Sequence, residues 1–189
     1  MPEGGSGWVD YGDTDGSNGG RATGVDACLD SDYLKTHNGS PASNQPPGYR
    51  WAQNFGTGQN LVPQRSINAC HLLGHQLSGS GSDLRNLSTC SRQANASVRG
   101  DGRIDDHMYS LEKQVRNAVD SGEVVRYHVE PIYMGSRVVP VAYFIAAYGT
   151  DASGNPGFSL SDIVPNSLYS PKDGRWYNFG LRIPVRPRP

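Results

Sequence analysis

Between residues 105 and 150 a helical pattern runs directly into an alternating one, and this pairing constrains the fold more than anything else in the chain. Met108, Leu111, Val115, Ala118 and Val119 recur at spacings of three and four. They form one apolar stripe on a helix predicted over 105–122. Asp105 or Asp106 is placed to cap its start and Gly122 to end it. Segments 123–134 and 137–148 then alternate on either side of Gly135-Ser136, the pattern of a β-hairpin. A striped helix next to one-faced strands is satisfied by packing the helix on an antiparallel sheet. The fold class is therefore α+β.

Elsewhere the strand signals are short and widely separated. A chain of 189 residues with 24 Gly, 13 Pro and 35% hydrophobic residues has room for one core with long loops. One short strand is predicted around Gly24–Leu29 and another over 66–73. Residues 1–20 are rich in Gly, Ser and Asp and read as a linker. That leaves 21–189 as a single domain with its motif core at 66–122. Residues 36–60 read as a polar connection in which Pro46-Pro47-Gly48 forbids a helix, with Trp51 and Phe55 anchoring it to the core. Lys172-Asp173-Gly174 marks a turn, and the tail is too rich in proline for a central strand. No apolar run is long enough to cross a membrane. The opening MPEGGSGW lacks the apolar region of a signal peptide and reads as the boundary of a domain within a longer chain.

Net charge is −1, which excludes a uniformly basic nucleic-acid coat. Of 17 basic residues only Lys35, Lys113 and Lys172 are lysine. Arginine is the side chain suited to bidentate phosphate contact, although genome composition produces the same bias.

The chemistry concentrates in ACHLLGHQLSGSGSDLRNL, residues 69–87. Cys70, His71 and His75 offer the makings of a zinc-stabilised interaction domain, but adjacent residues rarely ligate one ion and no partner CxxC follows. The alternative is that His71, at a strand end, is a general base. Glu112 and Arg116 are four apart and share a helix face at the border of the apolar stripe, where a cleft can form. His71, Asn95, Glu112 and Arg116 can then converge. His75 reads as a surface residue, and His37, His107 and His128 as solvated. Cys70 and Cys90 flank the loop and either pair in an oxidising compartment or stand as two thiols, with Cys28 left over.

The ordered set NACHLLGHQLSGSGSDLRNL, SRQAN and MYSLEKQVR resembles the DNA/RNA non-specific endonucleases, whose site is a ββα-metal (His-Me) finger. GRATGV and GEVVRYHVEPIY share that look, and the resemblance spans roughly residues 20–150. It implies a central antiparallel sheet and one main helix carrying Glu112 and Arg116. It also implies His71 as general base, Asn95 as metal ligand, and Arg85, Asn86 and Arg92 as substrate contacts. Mg²⁺, with Mn²⁺ as substitute, would be the cofactor, and DNA or RNA the substrate. Domains of this kind are often secreted, or delivered into a target cell as toxin parts of larger polypeptides with an immunity-protein partner. Two departures stand out. Ala69 replaces an arginine common in the family, and VRGDGRIDD (98–106) is inserted between Asn95 and Glu112. Together they motivate a rival reading, a binding module that keeps the fold without turnover.

The residue types suit phosphodiester hydrolysis on their own terms. A neutral imidazole can take a proton from water near neutral pH. A hard cation that keeps several waters asks for few protein ligands, and one asparagine oxygen is such a ligand. Arg116 would then bind phosphate, and Glu112 would orient a water of the hydrated cation.

Overall fold

The computed structural model describes residues 7–58, 61, 63–99, 102–179 and 181–182. In chain order its elements are β1 (Trp8–Tyr11), β2 (Val25–Leu29), α1 (Ser31–Thr36), α2 (Tyr49–Gly58) and α3 (Pro63–Ser66). Next come β3 (Ile67–His71), β4 (Leu87–Ser91), α4 (Arg92–Asn95) and α5 (Met108–Asp120). The remainder is strand: β5 (Val124–Ile132), β6 (Ala142–Thr150), β7 (Pro156–Pro165), β8 (Leu168–Ser170), β9 (Arg175–Asn178) and β10 (Leu181–Arg182). The result is an α+β fold with mostly antiparallel sheet and few helices.

A five-stranded antiparallel sheet in the order β1-β2-β5-β6-β7 carries the core. β5 alternates strictly, with Val125, Tyr127 and Val129 buried and Arg126, His128 and Glu130 facing outward. Helix α5 lays Leu111, Val115 and Val119 on the inner face against Tyr127 and Ile145. The predicted hairpin is β5 paired with β6, in register from Val124↔Thr150 to Ile132↔Ala142. The outer face is mixed: His128 pairs there with Asp26 at 3.0 Å, and Tyr148 and Ile163 are exposed on it.

A separate two-stranded ladder joins β3 to β4, from Ile67↔Ser91 to His71↔Leu87. The Cys70–Cys90 disulfide spans it with Cα atoms 5.8 Å apart, while Cys28 is free and buried. Asn166 fastens β4 to the main sheet. Its buried side chain accepts from Ser91 N at 2.8 Å and donates to the Thr89 and Pro140 carbonyls.

Several expectations are corrected. Residues 8–11 are not linker but an edge strand paired with β2, and Arg21 beyond them donates to the Gly135 and Arg137 carbonyls at the hairpin turn. The Gly and Asp content there serves turns. Residues 36–60 are not wholly irregular, since α2 begins directly after Pro46-Pro47-Gly48, with Ala52 N bonded to Gly48 O. Phe55 anchors that helix beside Phe179 and Tyr177, whereas Trp51 is 49% exposed. Helix α5 starts at Met108 and its cap is neither aspartate. His107 Nδ1 accepts from Ser110 N while Ser110 Oγ accepts from His107 N, a reciprocal capping box made by a residue type seldom found there. Beyond the turn at Lys172-Asp173-Gly174 a small sheet, β10-β9-β8, completes the described tail.

Candidate active site

Strand β3 delivers His71 at its last residue, and the chain then makes a long excursion before returning as β4. That excursion is held by Asn86. Its carbonyl accepts from Leu73 N at 2.8 Å, and its amide donates to the Leu73 and Ser80 carbonyls. Tyr127 donates from the sheet to Leu72 O at 3.0 Å. The start of the loop is therefore fixed from two sides. The glycines in it have steric reasons. A Cβ on Gly74 would overlap the Glu112 carboxylate, and one on Gly79 the Leu73 carbonyl.

His71 lies in a cavity of about 440 Å³ with Gly74, His75, Gln76, Arg92, Asn95, Tyr109 and Glu112. Its Nε2 is 2.8 Å from the Ser40 carbonyl oxygen. A carbonyl only accepts, so the proton is on Nε2 and the lone pair on Nδ1. Burial lowers its pKa below the usual histidine value, with His75 adding to that and the Ser40 carbonyl opposing. The imidazole is thus held neutral, in one tautomer, by a backbone group from a distant loop.

Asn95 ends α4, a single turn capped by Ser91 Oγ, which accepts from Ala94 N at 3.0 Å. Asn95 Nδ2 donates to Asn68 Oδ1 at 3.1 Å. This fixes the amide so that Oδ1 is its unspent end. Glu112 projects from α5 into the same cavity and is 5% exposed. Burial pushes its pKa up to about 8, opposed by hydrogen bonds from Gln76 and the Gly74 backbone. Among the described residues no three His, Cys, Asp or Glu side chains are grouped to hold an ion. A neutral asparagine oxygen beside one carboxyl suits a hard, hydrated cation such as Mg²⁺ and is a poor match for a zinc cage. The zinc reading of Cys70, His71 and His75 also fails because the Cys70 sulfur is bonded to Cys90.

Of the residues expected at the site, His71, Asn95, Glu112 and Arg92 come together. Three do not. Arg116 is outside the cavity wall, its guanidinium donating to Asp120 at 2.9 Å and to the Gln76 carbonyl at 3.0 Å. Arg85 pairs with Asp83 at 2.6 Å and lies over the Tyr11 ring. Asn86 is fully buried, so it builds the loop and cannot touch substrate. His75 is exposed at the cavity rim. His107, expected to be solvated, is 6% exposed as the α5 cap. Sequence reasoning missed Ser40, Asn68 and Tyr109. None of the three carried a signal of its own in the sequence.

A family model described as DNA/RNA non-specific endonuclease matches residues 3–149. No curated protein sequence matches the chain. Among solved structures, NucA from Streptococcus agalactiae with magnesium bound is similar at TM-score 0.63 and 21% identity, over 94% of this chain and 82% of that one. The same protein with no metal bound gives TM-score 0.62 and 23% identity, over 91% of this chain and 78% of that one. A structure described as an extracellular endonuclease gives 0.62 and 19%, over 94% and 89%.

Proposed function

We propose, from the premise that this chain belongs to the DNA/RNA non-specific endonuclease family, that it hydrolyses phosphodiester bonds of DNA and RNA with Mg²⁺ as cofactor. The observation that carries the reading is the His71–Ser40 hydrogen bond, which leaves a neutral imidazole facing a cavity that also holds Asn95, Glu112 and Arg92. His71 Nδ1 takes a proton from a water as that water attacks phosphorus. Arg92 holds a non-bridging phosphate oxygen. Glu112, braced by Gln76 and Gly74, orients water at the opposite wall. Asn95 would hold the cation, with Mn²⁺ as a substitute, and the cation would supply positive charge that offsets the charge developing on the phosphate and the leaving group. Arg116 braces the turn at His75–Leu77 rather than the substrate.

The buried Cys70–Cys90 disulfide supports work outside the reducing cytosol. That agrees with secretion or with delivery as a toxin domain of a larger polypeptide, for which an immunity protein would be the partner. The test is plasmid and RNA degradation by the purified chain. Chelation with EDTA is expected to abolish cleavage, and Mg²⁺ or Mn²⁺ to restore it. Full activity in excess chelator would remove the cation from the mechanism, and inactivity with every divalent ion would favour the binding module.

A further inference from the structure

The insertion between Asn95 and α5 has no part in the chemistry above, yet it builds a second recess. Ser97, Arg99, Arg103, Asp105 and His107 line a cavity of about 420 Å³. Ser97 lines the larger cavity as well, so the two adjoin at that residue.

The recess has an anion-binding set of donors. Arg99 and Arg103 are exposed at its wall. Arg103 gives Nε and Nη2 to Asp105, at 2.9 Å from Nε, which holds the guanidinium in place and leaves Nη1 without a partner among the described residues. His107 contributes without charge. Its Nδ1 accepts from Ser110 N, so in the neutral ring Nε2 carries the proton and is a donor. Burial lowers the pKa of His107, which keeps it in that neutral form, while Asp106 and Asp105 oppose the shift and Arg92 and Arg103 reinforce it. Asp105 and Asp106 offset part of the arginine charge, so the recess is suited to one phosphate rather than to a polyanion.

We infer that this arginine-lined recess is a subsite for a phosphate of the nucleic-acid backbone adjoining the scissile one, occupied when the chain engages a substrate longer than a single phosphodiester. The inference rests on the nuclease reading. It assigns the insertion a task, gripping the strand beside the reaction, that a one-diester substrate never calls upon.

Two substrates separate the recess from the reaction. Bis(p-nitrophenyl) phosphate has one diester, and an oligonucleotide of about ten residues has neighbours on both sides. The paired variant Arg99→Ala/Arg103→Ala alters exposed side chains only and leaves the His107 cap intact. Its KM for the oligonucleotide should rise on the order of tenfold, with kcat/KM on the single diester unchanged. A neutral methylphosphonate at one linkage beside the cut should weaken the wild type by a similar factor and leave the variant indifferent at that linkage. An unchanged oligonucleotide KM overturns the inference, and so does equal loss on both substrates. If the wild type cleaves neither, the nuclease reading itself has failed, and this inference falls with it.

Discussion

At the scale of single residues, the site depends on fixing one proton and one amide. In the proposed mechanism His71 can act as a base because the Ser40 carbonyl accepts a hydrogen bond from Nε2–H, leaving the Nδ1 lone pair free. His71→Ala should lower the cleavage rate about 10²–10⁴-fold with the fold intact by circular dichroism, while His75→Ala, at the exposed rim, should be mild by comparison. Equal losses in the two would mean that the wrong histidine has been given the role. Because burial depresses the His71 pKa, the neutral base persists to lower pH than a free histidine allows, and the acid limb of kcat should fall below 6.5. Glu112 makes the opposite shift. A buried carboxyl with a pKa near 8, against 4.5 in the unfolded chain, is most stabilising while protonated. In chelator, stability is therefore full below about pH 4.5 and declines as pH rises through about 8, by an amount on the order of a few kcal/mol. Glu112→Gln should flatten that decline, and thermal melts of both proteins at pH 5 and 8.5 measure it. An equal decline in the variant would assign the pH dependence to another group. His71, Asn95 and Glu112 could be named from the sequence because an ordered run of motifs carries them. Ser40 and Asn68 were not, since each meets its partner from 31 and 27 residues away.

At the scale of elements, the placement of His71 depends on two loops stitched edge to edge. Ser40 N donates to Gly79 O, Gly81 N to Ser40 Oγ and Ser43 N to Gly81 O. They approach closely because the glycines have no side chain, and a Cβ on Gly81 would overlap the Pro41 carbonyl oxygen. Gly81→Ala must push residues 40–43 away, drawing the Ser40 carbonyl from His71. The expected result is about a hundredfold loss of kcat from misorientation alone, with the melting temperature little changed because the shifted loop is exposed. A fully active Gly81→Ala protein would show that the Ser40 carbonyl does not orient the base. The glycine-rich run was visible in the sequence, but its reason was not, since the facing loop had no regular pattern. Helix α5 and the β5–β6 hairpin were legible because periods of 3.6 and 2 are written into contiguous residues. Strand β1 was hidden in glycine-rich sequence, and α2 by the proline turn just before it.

At the scale of the whole molecule, binding a polyanion with a net charge of −1 is an electrostatic problem that only the distribution of charge can solve. The outward face of the main sheet mixes signs, with Arg126 set over Trp8 and His128 paired with Asp26 beside the acidic Glu130. Arg92, Arg99 and Arg103, in contrast, all line the candidate active-site cavity or the recess that adjoins it. Attraction is therefore local, reaching about a Debye length, and salt should weaken it without abolishing it. With two or three phosphate contacts, log affinity against log salt should fall with a slope of roughly −2 to −3 on duplex DNA. A more basic protein would give a steeper line. Among the described elements none is placed to read base edges in a groove, so the same slope should hold on substrates of unrelated sequence. Binding of a catalytically dead His71→Ala protein, titrated from low to high salt on two unrelated duplexes, measures both quantities. A flat line, or two slopes that differ by more than one contact, would mean that the cleft reads something other than the phosphate backbone.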